Sequence, residues 1–383
     1  MPAGAAQSVP MEPVTLDADG LRLVAWEQRH LADLARIYAD PLIERYLVMP
    51  LPWGGPARDR FVSMQVRHWQ GGNPRWAVEE DGALVGSMAL TKSFPSELTI
   101  TYVTAPWARG RGVAQRAIRA AVAFGFERLG AKRIAWDAIV GNHASRLAAL
   151  RTGFTVEGIA RSGVNQRGTS RDCWVGGILP GEVRGPENPP WHYAVAKRQA
   201  AFFTAPQPVL DTGAAGLRLR PLQRSDLGDL AATCADPETQ RWVGGLPNPY
   251  TRDDADAWLD FSRGRRDRAE TVLYALADAD DRYCGSVELV LKAPGEAELG
   301  YFCAPWARGR GWTTAAVRRL CRLGFEELAL ERIAWRAVVG NEASRRVAEK
   351  AGFTVEGVGR GLRHGADGRV DSWIGSLFPA DLG

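Results

Sequence analysis

Apolar positions in the first half of the chain switch between two periods. Leu21–Ala25 alternates, as a short strand does, whereas Leu31–Tyr38 and Pro56–Trp69 repeat their apolar residues at helical spacing. Trp76–Glu79 and Leu84–Leu90 read as strands around the turn Glu79-Glu80-Asp81-Gly82, and Leu98–Val103 as the next strand. A loop rich in Pro and Gly follows. Val113–Leu129 then places Val113, Ala117, Ala121, Phe124 and Leu129 on one helical face. Ile134–Val140 is a further strand, Asn142 caps a helix that Gly153 ends, and Phe154–Ala160 and Cys173–Ile178 close the half as strands. This mixture predicts an α/β (α+β) architecture.

The second half repeats the first. The stretch Ala105–Gly112, APWARGRG, recurs at Ala304–Gly311, and Gly153–Gly158, GFTVEG, recurs at Gly352–Gly357, both at an offset of about 199 residues. From Gly86/Gly285 to Arg184/Gly383 the halves align without a gap, with roughly 40% of positions identical. A solenoid unit is only about 20–50 residues long, so the repeat is a duplicated domain. The expected boundaries are 11–182 for the first domain, 183–212 for a Pro-rich linker and 213–383 for the second domain. Within the linker, His192–Phe203 is expected to form a short helix between the halves.

Composition narrows the function classes. The 383 residues carry 48 basic and 44 acidic side chains, a net +4 with both signs interspersed, which gives no footprint for nucleic acid. Five cysteines without a C-x-x-C pair argue against a disulfide framework or a structural zinc, and the scattered histidines argue against a metal site. No apolar run reaches the roughly 18 residues of a membrane span, and Met1–Pro10 lacks the basic and apolar regions of a signal peptide. The expectation is a cytoplasmic protein without metal, monomeric or homodimeric.

The loop Arg109-Gly110-Arg111-Gly112-Val113-Ala114 is the most informative chemistry. A strand ends, glycines turn the backbone, and a helix begins; backbone N–H groups at such a helix start attract an anion, and arginines add charged donors. No G-K-[ST] follows, so this is not a Walker loop.

The pattern [QR]-x-x-G-x-[GA] after a strand resembles the acetyl-coenzyme A loop of the GNAT acetyltransferases. The segments NHASRLAALRTGFTVEG and NEASRRVAEKAGFTVEG, with the closing DCWVGGILP and DSWIGSLFP, resemble the RimJ/RimL-type branch, which acetylates protein N-termini and amines. The resemblance covers nearly all of both halves. It implies two tandem GNAT folds, each a splayed mixed twisted sheet flanked by helices, with acetyl-CoA as cosubstrate between two parallel strands. The implied partner is an amine acceptor: a small molecule, a peptide or a protein N-terminus.

Carried over by position, the resemblance implies donor contacts from Arg109, Gly110, Gly112, Val113 and Ala114 in the first copy and from Arg308, Gly309, Gly311, Trp312 and Thr313 in the second. Thr313 stands where the family has Gly or Ala, and its branched side chain is expected to crowd the phosphate. Strand N–H groups near Val103 and Phe302 would receive the thioester carbonyl. Asn142 and Asn341 read as helix caps and, by the resemblance, as neighbours of the pantetheine. Ser145 and Ser344 match the serine that protonates the thiolate. The family's strand glutamate matches Glu298; the aligned residue is Thr99, which is no base, so Glu97 on the same strand face is the displaced candidate. The RimL-type downstream base falls on Val164 and Arg363, which carry no carboxylate. Tyr102, Tyr301, Trp107 and Trp306 are expected to pack the sheet and loop. The alternative reading is a non-catalytic acyl-CoA sensor or scaffold built from degenerate GNAT domains.

Overall fold

The computed structural model describes residues 11–48, 54–365 and 368–382. Met1–Pro10, and the targeting expectation placed on it, lie outside the described residues. The chain forms two compact units, Met1–Tyr193 and Ala194–Gly383.

The first unit opens with β1 (Leu16–Ala18), β2 (Leu21–Val24) and the helices α1 (Leu31–Tyr38), α2 (Pro41–Tyr46), α3 (Pro56–Asp59) and α4 (Phe61–Gln70). β3 (Arg75–Glu80), β4 (Ala83–Phe94) and β5 (Glu97–Thr104) follow, then α5 (Val113–Glu127), β6 (Arg133–Ile139), α6 (His143–Thr152), β7 (Thr155–Gln166) and β8 (Thr169–Ile178). The eight strands form one sheet in the order β1-β2-β3-β4-β5-β6-β8-β7. β5 and β6 pair in parallel, because α5 carries the chain back between them; the other neighbouring pairs are antiparallel.

The helix α7 (Tyr193–Thr204) starts on the last residue of the first unit and leads into the second, which continues with β9 (Leu210–Asp211), β10 (Arg218–Arg220), α8 (Leu227–Ala235), α9 (Pro237–Trp242) and α10 (Arg252–Asp267). It continues through β11 (Thr271–Ala277), β12 (Tyr283–Leu291), β13 (Glu296–Cys303), α11 (Trp312–Glu326), β14 (Arg332–Val338), α12 (Glu342–Ala351), β15 (Thr354–Gly365) and β16 (Gly368–Leu377). Its sheet has the same order, with β13 and β14 as the parallel pair. Both units are therefore α/β, each a mixed sheet with flanking helices.

Several elements depart from the periodicity. The helix expected over Pro56–Trp69 is two helices that meet at Arg60, the C-cap of the first and the N-cap of the second. α2 is too short to show a period; Asp40 starts it by accepting from the Leu42 and Ile43 N–H groups, and Pro41 occupies the first turn. The last hairpin runs past Ala160 and Cys173 to a polar tip, where Val164 pairs with Arg171 beyond an irregularity.

Burial of α5 and of α11 against their own sheets holds each central strand in place. In the first unit Leu98, Ile100, Ile134 and Trp136 join Ala117, Ile118 and Ala121 in one core. In the second Leu299, Ile333 and Trp335 join Ala316, Val317 and Leu320. Each buried Leu, Ile or Val among them stabilises by about 1.5–3 kcal/mol. Gly86 and Gly285 permit a close strand approach: a Cβ there would lie 2.5 Å from the Val103 carbonyl oxygen and 2.4 Å from that of Phe302.

Candidate active site

The parallel ladder between β5 and β6 is short. It pairs Glu97 with Arg133, Leu98 with Ile134 and Thr99 with Ala135, after which the two strands continue without pairing. In the second unit pairing stops at Leu299 and Trp335. Each sheet is thus split along its middle, and the split opens toward the glycine loop.

At that open end α5 and α11 present their N-termini. Gly110, Gly112, Gly309 and Gly311 have φ between 74° and 77°, the left-handed region that favours glycine. Neither helix carries a side-chain cap, so its first backbone N–H groups remain available to an anion. A Cβ at Gly110 or Gly309 would meet nothing within 4 Å, so the loop faces open space. These features suit an anionic group such as a pyrophosphate.

The loop arginines have other partners. Arg109 is held by Asp40 at 2.6 and 3.2 Å, and Arg308 bonds Asp236 and Thr239. The Arg109 guanidinium lowers the Asp40 carboxyl below its usual range. At Asp236 desolvation is the largest single effect and acts upward, but the bonds from Arg308 and from the Thr239 N–H and hydroxyl together bring the carboxyl below its usual range. Arg111 bonds Glu80, which also binds Arg116 at 3.1 Å. Arg310 instead lies over the Trp312 ring at 4.8 Å. Thr313 engages the Cys303 thiol at the end of β13. Beneath each loop a tryptophan is pinned: the Trp107 indole donates to the Leu84 carbonyl at 3.1 Å and that of Trp306 to the Tyr283 carbonyl at 3.0 Å.

The second helix of each unit supplies hydroxyl groups. Asn142 caps α6 by accepting from the Ser145 N–H at 3.2 Å, and Asn341 accepts from the Ser344 N–H at 3.0 Å. The Ser145 hydroxyl donates to the Tyr102 oxygen at 3.0 Å, Tyr102 donates to the Ser145 carbonyl at 2.9 Å, and the Trp136 indole donates to Ser145 Oγ at 3.2 Å. Tyr301 repeats the arrangement with Ser344, donating to its carbonyl at 2.8 Å with its hydroxyl 3.0 Å from Oγ. Tyr102 and Tyr301 are thus more than sheet packing. Burial keeps both phenols protonated, with Tyr301 pushed up to about 12. Sequence reasoning missed this pair; its signal was a tyrosine at the same strand position in both copies, three residues before the APWARGRG loop.

The carboxylates are placed differently in the two units. Glu97 lies at the closed end of the split, where its carboxylate binds Arg133 at 3.0 Å and the Ser93 hydroxyl at 2.9 Å. Arg133 also grips Glu157 through two bonds of 2.7 and 2.8 Å. Val103 stands six positions along the strand from Glu97, about 20 Å at 3.3 Å per residue. Glu298 is partly exposed beside the last paired residues, 3.6 Å from Lys292 and 3.9 Å from Arg336. Among the described residues no cluster of three or more metal-ligating side chains occurs, the five cysteines are free, and no helix is long and apolar enough to cross a membrane.

The profile of the acetyltransferase (GNAT) domain matches residues 20–155 and 216–354. The chain belongs to the GNAT acetyltransferase family, with two copies of the domain. Among curated relatives, YdaF of Bacillus subtilis (strain 168), which bears a ribosomal N-acetyltransferase name, is 45% identical over 83 residues, 21% of this chain and 45% of its own. YjcK of the same organism, which bears an N-acetyltransferase name, is 41% identical over 85 residues, 21% of this chain and 47% of its own. The chain spans about half the length of these relatives. Among solved structures, one described as an acetyltransferase is 28% identical with a TM-score of 0.42, covering 46% of this chain and 99% of its own. Mycobacterium smegmatis RimJ in complex with CoA-disulfide is 20% identical with a TM-score of 0.41, covering 44% of this chain and 84% of its own.

Proposed function

We propose that the chain transfers the acetyl group of acetyl-CoA to a primary amine. The observation that carries this reading is the conjunction, in both units, of an uncapped helix start on a two-glycine loop with a sheet split at its parallel pair. The pyrophosphate lies on the backbone N–H groups that begin at Val113 and Trp312, with Gly110, Gly112, Gly309 and Gly311 allowing close approach. Arg109 and Arg308 shape the loop through Asp40 and Asp236. The acyl arm enters the split, where the strand N–H groups near Val103 and Phe302 receive the thioester oxygen as it gains charge; one such donor is worth about 3–4 kcal/mol in the transition state.

The amine attacks the thioester carbon directly. Its C–N bond forms, the C–S bond breaks, and the thiolate takes a proton from the hydroxyl pair Tyr102–Ser145 or Tyr301–Ser344. Glu298 is the carboxylate in the second unit that can accept the proton of the incoming ammonium. The acceptor is a small molecule, a peptide or a protein N-terminus; the name borne by YdaF supports the last of these. The early helices and the last hairpin meet at this side: Gln166 donates to the Arg45 and Leu47 carbonyls at 2.8 and 3.0 Å, and Arg167 to the Glu44 carbonyl at 2.9 Å. We place the protein in the cytoplasm, where its donor is abundant.

The pairing of Glu298 with two cations favours a second reading for the second unit, that it senses acyl-CoA without turning it over. Thiol release from acetyl-CoA across a panel of peptides and alkyl amines, with calorimetric titration of acetyl-CoA, tests both. Turnover supports the enzyme. Stoichiometric binding without turnover on any amine supports the sensor.

A further inference from the structure

Asp137 stands on β6 two residues past Ala135, the last residue of β6 that pairs with β5. Residues paired across a parallel ladder share a face, and so do residues two apart on one strand. Asp137 therefore shares the face of Thr99, opposite the buried Ile134 and Trp136 that pack toward α5. Its place is about 7 Å further up the open split than Ala135. The aligned residues of the second unit measure this geometry: Glu298 occupies the position of Thr99, Arg336 that of Asp137, and their side chains come within 3.9 Å. The two positions face one space across the split.

What occupies them differs between the units. The second carries an acid countered by Arg336 and Lys292. The first carries Thr99 and an exposed Asp137 to which, among the described residues, no hydrogen bond or ion pair is made. Desolvation raises the pKa of Asp137 above the usual carboxylate range. The titratable groups that interact with it electrostatically are the Tyr102 phenol on β5 and the Cys173 thiol on β8, both kept neutral by burial.

Resting on the acetyltransferase reading, we infer that Asp137 is the general base of the first unit, and that this unit acts on acceptors that arrive as ammonium ions. The carboxylate takes one proton from R–NH3+, leaving R–NH2 with a free electron pair. That pair forms the C–N bond to the thioester carbon, and the C–S bond breaks with its electrons on sulfur. The second nitrogen proton reaches the thiolate through the Tyr102–Ser145 hydroxyls. Asp137 returns its proton to solvent, so the sum is an amide, a thiol and one released proton. A raised carboxyl is the better base for an ammonium, and general-base help of this kind contributes about 10²–10⁴-fold.

The test uses the full chain, acetyl-CoA and a panel of free-amine peptides and alkyl amines, followed by thiol release between about pH 6 and 9.5. A wild type that turns over no amine sinks the acetyltransferase reading itself, and the assignment with it. Given wild-type turnover, Glu298→Gln is made first to remove a contribution from the second unit. If that variant alone loses all turnover, the first unit is idle and the assignment is wrong. Otherwise Asp137→Asn in that background is expected to lose at least about 100-fold in kcat/KM near pH 7, with acetyl-CoA affinity within twofold and a deficit that shrinks at high pH. Asp137→Glu should recover part of the rate. Wild-type rates in Asp137→Asn overturn the assignment, as does an equal loss at every pH accompanied by weaker donor binding. If Asp137→Asn melts early, Asp137→Ser serves the same comparison.

Discussion

Arg109, in the glycine loop, and Asp40, the N-cap of α2, hold one another through two hydrogen bonds, and in the second unit Arg308 bonds Asp236, the N-cap of α9, and the Thr239 hydroxyl. One carboxylate thus caps a helix and orients the loop. The two roles separate by substitution. Asp40→Asn keeps a good cap and should change stability little, whereas Asp40→Ala loses the cap and about 1 kcal/mol. Thermal melting of both variants checks this, and equal losses would mean that the ion pair, not the cap, is the stabilising part.

Gly112 and Gly311 are proposed to govern donor binding. Valine at either position meets a left-handed backbone and puts a branched side chain where the pyrophosphate is proposed to lie, at a conformational cost of about 1–2 kcal/mol. The first unit ends its loop in Ala114 rather than Thr313 and should hold the tighter site. Calorimetry on Gly112→Val is expected to lose the tighter binding event, and Gly311→Val the weaker one. Unchanged affinity and stoichiometry in Gly112→Val would overturn the loop assignment.

Glu298 and Glu97 should respond differently to loss of charge. Glu298→Gln is expected to lower the rate for a protonated amine more than Glu97→Gln, with the difference narrowing toward high pH. Glu97→Gln should instead weaken the Arg133 clamp, a partly exposed pair worth at most about 1 kcal/mol. Steady-state rates and melting curves for the two variants distinguish these outcomes.

Arg220 and Asp226 form a buried ion pair, 4% and 3% exposed, with bonds of 2.7 and 2.8 Å. Asp226→Asn leaves the guanidinium with only the exposed Asp281 as a charged partner. A loss of about 3 kcal/mol is expected in urea unfolding of the second unit. A change below about 0.5 kcal/mol would show that Asp281 suffices alone.

His143 sets a pH window. It is buried, its Nδ1 has no hydrogen-bond partner among the described residues, and burial together with Arg146 pushes its pKa down to about 4. The folded imidazole stays neutral while the unfolded one protonates below about 6.5, so the unfolded state binds the extra proton between these values. This contribution is complete above about pH 6.5 and is lost as pH falls toward 4, on the order of 3 kcal/mol in all. Urea unfolding at about pH 7 and 4.5 should show a smaller drop in His143→Gln than in wild type.

The duplication and the mixed architecture were legible because they are written in repetition and period. The repeat carried APWARGRG at one offset, and α5, β6 and α6 fell within a few residues of their apolar patterns. Short elements were not legible: three residues of β1 and six of α2 hold too few positions to show a period. The glycine loops were found from sequence, but not the fact that Arg109 and Arg308 turn to carboxylates from distant helices. Asp137 went unread for a related reason. Its meaning depends on where pairing between β5 and β6 stops, which no local pattern records.

The short parallel ladder has a further consequence. Past Thr99 and Leu299, one side of β5 and of β13 lacks a strand neighbour, so each sheet contains an edge in its interior rather than at its rim. Unpaired strand edges are templates for other chains and points of local opening. A donor bound in the split, as proposed, would serve as a substitute strand. It would then act as a structural plug as well as a reactant, and backbone amides along both edges should exchange more slowly when it is bound.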